Sequence, residues 1–322
     1  MINKRRQLLA TMLGCAVLPA PFASETFPSK PITIIVPWSP GGSVDTVARL
    51  ISEPLRQRLG QAIVISNRPG ATGTIGANAV AKADPDGHTL LLTIGAHPIT
   101  AALMQQLPYD ATGDLAGISL MVRAPNMLVV QPDFPAKDLA ELVQLAKASP
   151  GHYTYSTAGY GTTTHVMVAM LEQAAGIQLQ HIPYQGGAKS LQAILAGETH
   201  MNAAVTSTAA PMIKAGRLRP LAIIGEKRST EFPDTPTFAE SGYPGVRGDS
   251  WIGMFAPRGT PRAIIEQVNT AIQEIIATPQ YHQQLLAQAG EPVSIGPDEF
   301  DQLVSDEIKD FTELARNVDL KM

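Results

Sequence analysis

The sequence predicts an α/β fold built from two mostly parallel sheets, each flanked by helices. From residue 27 onward, short β-branched runs alternate with helix-length patterns, which is the signature of strands joined by helical crossovers. Several of those runs end on glycine-rich turns that lead straight into a helix start. Hydrophobic residues make up 44% of the 322-residue chain and charged residues only 16%. That composition builds cores, and the length suits two ordinary domains.

Residues 32–36 form the first expected strand, and the pattern over 46–59 follows as a helix. Strands are then expected at 63–66, 89–93, 127–130, 153–156, 180–182 and 221–224, with helices over 136–148, 163–175 and 188–196. Two extended apolar stretches, 118–130 and 218–227, read as crossings between domains. They place residues 24–123 and 226–322 in one domain and residues 124–225 in a second, inserted one. From Pro261 onward the chain reads as helices with a proline-rich break near 292–297.

The N-terminus differs from the rest. Residues 1–6 are basic, 8–20 are apolar and 20–24 are small, the layout of a secretory signal peptide cleaved after Ala23. Arg5-Arg6 followed by two apolar residues weakly resembles a twin-arginine signal, so general and twin-arginine export both stay open. The sole cysteine, Cys15, follows Met12-Leu13-Gly14, a faint likeness to a lipoprotein site, although the apolar run before it is short for a lipid anchor. A net charge of −4 argues against a general nucleic-acid binder. No apolar run reaches the roughly 18 residues that a membrane span needs.

Four strand ends share one plan. The loops 37–43, 67–76, 156–165 and 183–189 each follow a strand, are rich in Gly, Ser and Thr, and open a helix. Glycine lets backbone approach a ligand, helix starts offer free N–H groups, and hydroxyls add donors. Any α/β protein needs tight strand–helix turns, so one such loop means little. Four of them, poor in Lys and Arg, point to an anion or carboxylate cleft at the carboxyl ends of the strands.

Enzyme signatures fail. Gly159-Tyr160-Gly161 begins like a dinucleotide fingerprint, but Thr164 replaces the last small residue and no acid lies about 20 residues on. Gly186-Gly187-Ala188-Lys189-Ser190 is not a phosphate loop. The seven histidines are scattered without metal-ligand spacing, so neither a metal nor a cofactor is expected. His97 and His165 follow strand ends, where they either line a cleft or serve the core. Asp45, in the first turn of its helix, suits the helix dipole equally well.

At this point a family resemblance becomes specific. The stretch 28–42, "PSKPITIIVPWSPGG", resembles the mature N-terminus of the receptors of tripartite tricarboxylate transporters, often called Bug proteins. So do Asn67-Arg68-Pro69-Gly70-Ala71, the runs 83–91 and 107–110, His181-Ile182-Pro183-Tyr184-Gln185-Gly186, and the runs 232–237 and 256–261, in order along the chain. The resemblance implies a two-domain periplasmic-binding-protein fold of the type II, flytrap kind, with two strands crossing between domains. It also implies a periplasmic, monomeric receptor for a small organic acid, with the large and small membrane subunits of the transporter as partners and no cofactor. Carried over, Trp38, Ser39, Gly42, Ser43 and Asp45 form the first wall, joined by Ala71 and Thr72 and by Thr93, Gly95, Ala96 and His97. Ser156, Ala158, Gly161, Thr162, Thr163 and His165 face them, beside Tyr184.

The chain departs from its relatives at one place. Many carry Asp or Asn before the Pro-x-Ile-Lys-Ala-Gly turn, where this sequence aligns Ala204 and Val205. Alanine cannot pair with a ligand ammonium, so a dicarboxylate or aromatic acid is expected in preference to an amino acid. A receptor that signals through a sensor kinase, or more remotely a cofactor-binding transferase, stands as the alternative.

Overall fold

The computed structural model describes residues 26–317 apart from Gln105, Glu226 and Ala289, so the expected signal segment and Cys15 lie outside the described residues. Within these bounds the chain forms two sheets. The first contains β1 (Ile32–Val36), β2 (Ile63–Asn67), β3 (Thr89–Ile94), β4 (Leu115–Ala124), β10 (Ser250–Pro257) and β11 (Glu291–Ile295), in the order β11-β4-β10-β3-β1-β2. The second contains β5 (Asn126–Val130), β6 (Thr154–Thr157), β7 (Gln180–Pro183), β8 (Met201–Val205) and β9 (Arg219–Ile223), in the order β7-β6-β8-β5-β9.

The two sheets repeat one design. In each, three parallel strands are joined through an antiparallel strand, β10 or β5, to a strand that again runs with the three. The sheets are therefore mixed, with one antiparallel strand inside each and β11 antiparallel at the edge of the first.

Helices cover both faces of each sheet. On the first, α1 (Ser43–Leu59) and α8 (Arg262–Ala277) bury Val47, Ile51, Leu55, Ile272 and Ile275 against Ile32, Ile34 and Leu92. The opposite face buries Ile35, Leu91 and Phe255 beneath α2 (Thr74–Ala81) and α10 (Pro297–Asn317), whose Phe300 and Val304 are buried there. On the second sheet, α4 (Leu139–Ala148) and α5 (Thr163–Ala175) cover one face, and α6 (Gly187–Leu195) and α7 (Thr206–Lys214) the other. Helices α3 (Ala96–Leu103) and α9 (Pro279–Gln288) complete the set. Each sheet with its helices forms one lobe.

The lobes touch where Ile99 of α3, Val166 of α5, and Phe311 and Leu314 of α10 form a small buried cluster. The first crossing is the single step from β4 through Pro125 into β5. The second lies later than the expected 218–227. After β9 the chain stays on the second lobe, because Phe238, Tyr243 and Val246 pack into its core, and it rejoins the first sheet only at Ser250. Strand β11 occupies part of the expected proline-rich break, since an edge strand tolerates Pro292.

Candidate functional site

Strand polarity alone brings the glycine-rich ends together. β4 runs parallel to β3, so Ala124 reaches the edge where β1, β2 and β3 end. β5 runs antiparallel to β8, so Asn126 stands opposite Val205, at the edge where β6, β7 and β8 end. One residue, Pro125, separates Ala124 from Asn126. The carboxyl edges of both sheets therefore face one another across the Pro125 crossing, which Thr206 fixes by donating its backbone N–H (2.9 Å) and its hydroxyl (2.6 Å) to the Pro125 carbonyl.

Six helices start at these edges. Only α5 has a side-chain cap, Thr162, which accepts the His165 N–H. The starts of α1, α2, α3, α6 and α7 have none. Orphan amides and positive dipole ends thus gather around one gap. They can hold a carboxylate without a fixed cation.

In the first lobe, Asp45 organises the loop. Its carboxylate is 3% exposed and accepts from Gly41 N–H (2.9 Å), Arg49 Nε (2.9 Å) and Nη2 (3.0 Å), and Asn67 Nδ2 (3.0 Å). Asn67 also donates to the Trp38 carbonyl, tying the end of β2 to the loop after β1. Arg49 holds Asp45 down to about 2 from an ordinary 3.8, helped by Gly41 and Asn67 and opposed by burial. Ser39, Gly42 and Ser43 are exposed, and Trp38 is half-buried with its ring beside Gly73. Ala71 and Thr72 take left-handed φ values of 46° and 52° and are exposed, a strain that non-glycine residues bear at functional loops. At the end of β3, Thr93 and Ala96 are buried, and Gly95 N–H donates to the Trp251 carbonyl.

His97 turns away from the gap. It is 4% exposed, packs between Tyr109 and Phe255, and burial lowers it to about 4. Its side chain belongs to the core and not to the cleft wall.

In the second lobe, Ala158, Gly161 and Thr162 form the loop after β6, and Thr163 lies close to Gly95 of the first lobe. A Cβ placed on Gly95 would lie 3.3 Å from Thr163 Cγ2. Ser156 is fully buried, and its hydroxyl bonds the Ser190 and Met201 carbonyls, Thr199 and Asn202, so it braces the sheet. His165 is buried under its own loop. The Tyr184 hydroxyl donates to Glu198 at 2.8 Å, which engages the group away from any ligand. Ala204 is buried and Val205 half-buried at the end of β8. Asn67, Thr157, His181, Thr206 and Trp251 shape the site yet escaped the residue-by-residue reading. Asn67 and His181 lie inside the family motifs and Thr157 inside the 156–165 loop, whereas Thr206 and Trp251 carry no signal in the sequence. Among the described residues no group of three His, Cys, Asp or Glu could hold a metal ion.

The model of the tripartite tricarboxylate transporter family receptor matches residues 47–320. The chain is 33% identical to protein BugT of Bordetella pertussis over 317 residues, covering 98% of this chain and 97% of that one. An R. palustris protein solved with adipate has TM-score 0.78 and 31% identity, over 90% of this chain and 97% of that one. MatC from Rhodopseudomonas palustris, solved with bound malate, has TM-score 0.76 and 31% identity, over 89% and 99%. With its two lobes and opposed helix starts, the chain belongs to the tripartite tricarboxylate transporter receptor family of periplasmic solute-binding proteins.

Proposed function

We propose that the chain, exported to the periplasm, closes on a small organic acid carrying one or two carboxylates and delivers it to the membrane subunits of a tripartite transporter. The observation that carries this reading is the meeting of five uncapped helix starts at the two facing sheet edges. The contacts are the amides and hydroxyls of Ser39, Ser43, Ala71, Thr72 and Ala96 on one side, where the Gly42 and Gly95 amides are already bonded to the Ser39 and Trp251 carbonyls. On the other side they are those of Ala158, Thr162 and Thr163, with the Gly161 amide held inside the lobe by His165. Shielded N–H···carboxylate bonds are each worth about 1.5–3 kcal/mol. Ligands spanning both lobes select the closed state.

The ligand class follows from what the edges lack. Asp45 is saturated by its own donors, and β8 ends on Ala204 and Val205, so no free carboxylate on these two segments awaits an ammonium. Trp38 and Val205 offer apolar surface. The adipate and malate of the two structural neighbours agree with a dicarboxylate. Isothermal titration with malate, adipate, benzoate and glutamate tests the reading: dicarboxylate or aromatic acid should bind and glutamate should not, and tight glutamate binding would overturn it.

A further inference from the structure

We propose that His165 and His181 form a neutral imidazole stack that sets the shape of the second lobe's ligand loop, residues 158–163, and so act as positioning residues for the ligand. This role rests on the receptor reading above.

The Gly161 N–H donates to His165 Nδ1 at 3.3 Å inside the lobe. A backbone amide can only donate, so Nδ1 carries a lone pair and the ring is neutral with its proton on Nε2. His181 acts on the neighbouring glycine through Thr157. The Thr157 hydroxyl accepts the Gly159 N–H at 3.1 Å, donates to the Gly159 carbonyl at 3.2 Å, and lies 2.6 Å from His181 Nε2. One hydroxyl has one proton, so with that proton on Gly159 the donor in the third contact is His181 Nε2–H. His181 Nδ1, buried without a partner, is then a lone pair and not a stranded N–H, the less costly arrangement.

The two glycines so held have φ values of 136° and 64° and flank Tyr160, which meets His165 and His181 edge-on at 5.6 and 4.9 Å. Beneath the loop the imidazoles stack at 4.1 Å and 11°, with Tyr155 stacked on the far side of His181 at 4.9 Å. The backbone that presents the amides of Thr162 and Thr163 therefore stands on a ladder of flat rings, anchored to it through the Gly161 N–H.

Burial keeps both rings uncharged, with His165 at about 4 and His181 at about 3, the second lowered further by the first. The titratable groups facing the pair are Tyr155 and Tyr160, and behind Tyr155 lies Glu172, which burial pushes up to about 7. Protonating His165 Nδ1 would set a donor against the Gly161 donor and place charge against a stacked imidazole. The loop should thus hold its form through mild acid and loosen only near pH 4.

The test uses the full mature chain. In His165→Leu the acceptor is gone, and Gly161 amide hydrogen exchange should accelerate at least tenfold while far-UV circular dichroism stays native. In His165→Asn the side-chain oxygen stands where Nδ1 stood, so protection should return and its fall near pH 4 should vanish. Affinity for malate or adipate should drop about tenfold in the leucine variant, the worth of one lost bond, and recover in the asparagine variant. Unchanged Gly161 exchange in folded His165→Leu, or unchanged affinity, overturns the proposal. If the native chain binds neither acid, nor benzoate, the receptor reading fails, and the Gly161 exchange still decides whether the stack shapes the loop.

Discussion

The Asp45 carboxylate accepts the Gly41 backbone N–H at 2.9 Å, folding the loop after β1 back onto its own helix. The same carboxylate holds Arg49 and Asn67. Asp45→Ala strands these donors and should cost about 2–4 kcal/mol in a denaturant melt. Because Asp45 is lowered from 3.8 to about 2, its contribution of about 2 kcal/mol is present above pH 4 and lost as pH falls through 2. Asp45→Asn should therefore differ most from the native chain at neutral pH and converge with it below pH 2.

Glu307 gives the opposite sign. Its carboxyl accepts the Trp251 Nε1–H at 3.0 Å, and burial raises it from 4.5 to about 8, with Asp249 and Asp310 adding to the rise and Arg123 opposing it. A raised acid favours the fold below pH 4.5 and loses that benefit as pH rises through 8. Glu307→Gln keeps an acceptor for Trp251 without the charge. It should be more stable than the native chain by about 1–3 kcal/mol at pH 9 and nearly equal at pH 5. A constant difference across that range would refute the assignment.

Thr72 sits at φ 52°, where a side chain costs about 1 kcal/mol that glycine does not pay. Thr72→Gly should leave the melting temperature unchanged or slightly raised, yet weaken carboxylate binding by loosening the loop and removing a hydroxyl. Stability and affinity moving in the same direction would count against a ligand role for this residue.

Gly95 stands between the lobes. A Cβ there would lie 3.1 Å from the Asp249 carbonyl, 3.2 Å from Trp251 Nε1 and 3.3 Å from Thr163 Cγ2. Gly95→Val should prop the lobes apart, lowering affinity at least tenfold and enlarging the radius of gyration seen by X-ray scattering with ligand present. A native-size, ligand-bound variant would show that closure does not bring these residues together.

Alternation of β-branched runs with helices made most strands of both sheets legible, because parallel strands buried on both faces read as continuous apolar runs. β8, β10 and β11 were not. Met201-Asn202-Ala203-Ala204-Val205 lacks β-branched residues before its last, β10 mixes Ser, Gly, Met and Ala, and β11 carries a proline. The loops were legible as glycine–hydroxyl runs, but the direction of each side chain was not. His97 and Ser156 stand beside the right backbone and point into the core, since a position at a strand end does not say which face a side chain takes. The Asp45 clasp joins residues 22 apart in sequence, and no local pattern encodes such a pair.

The strand order also dictates when each lobe can be finished. β5, which completes the second sheet, precedes β6, so residues 126–248 hold every strand of their sheet. The first sheet is split until β10 arrives: β1, β2 and β3 lie on one side of it, β4 and β11 on the other. The leading segment of a chain threaded N-terminus first therefore waits, unpaired along its β3 edge, while the whole second lobe passes. Non-local pairings of this kind are slow and leave sticky edges exposed. On the proposed export route, a holdase on the far side of the membrane would find its main work on residues 26–124, and refolding of the isolated N-terminal segment should stall until the C-terminal third is supplied.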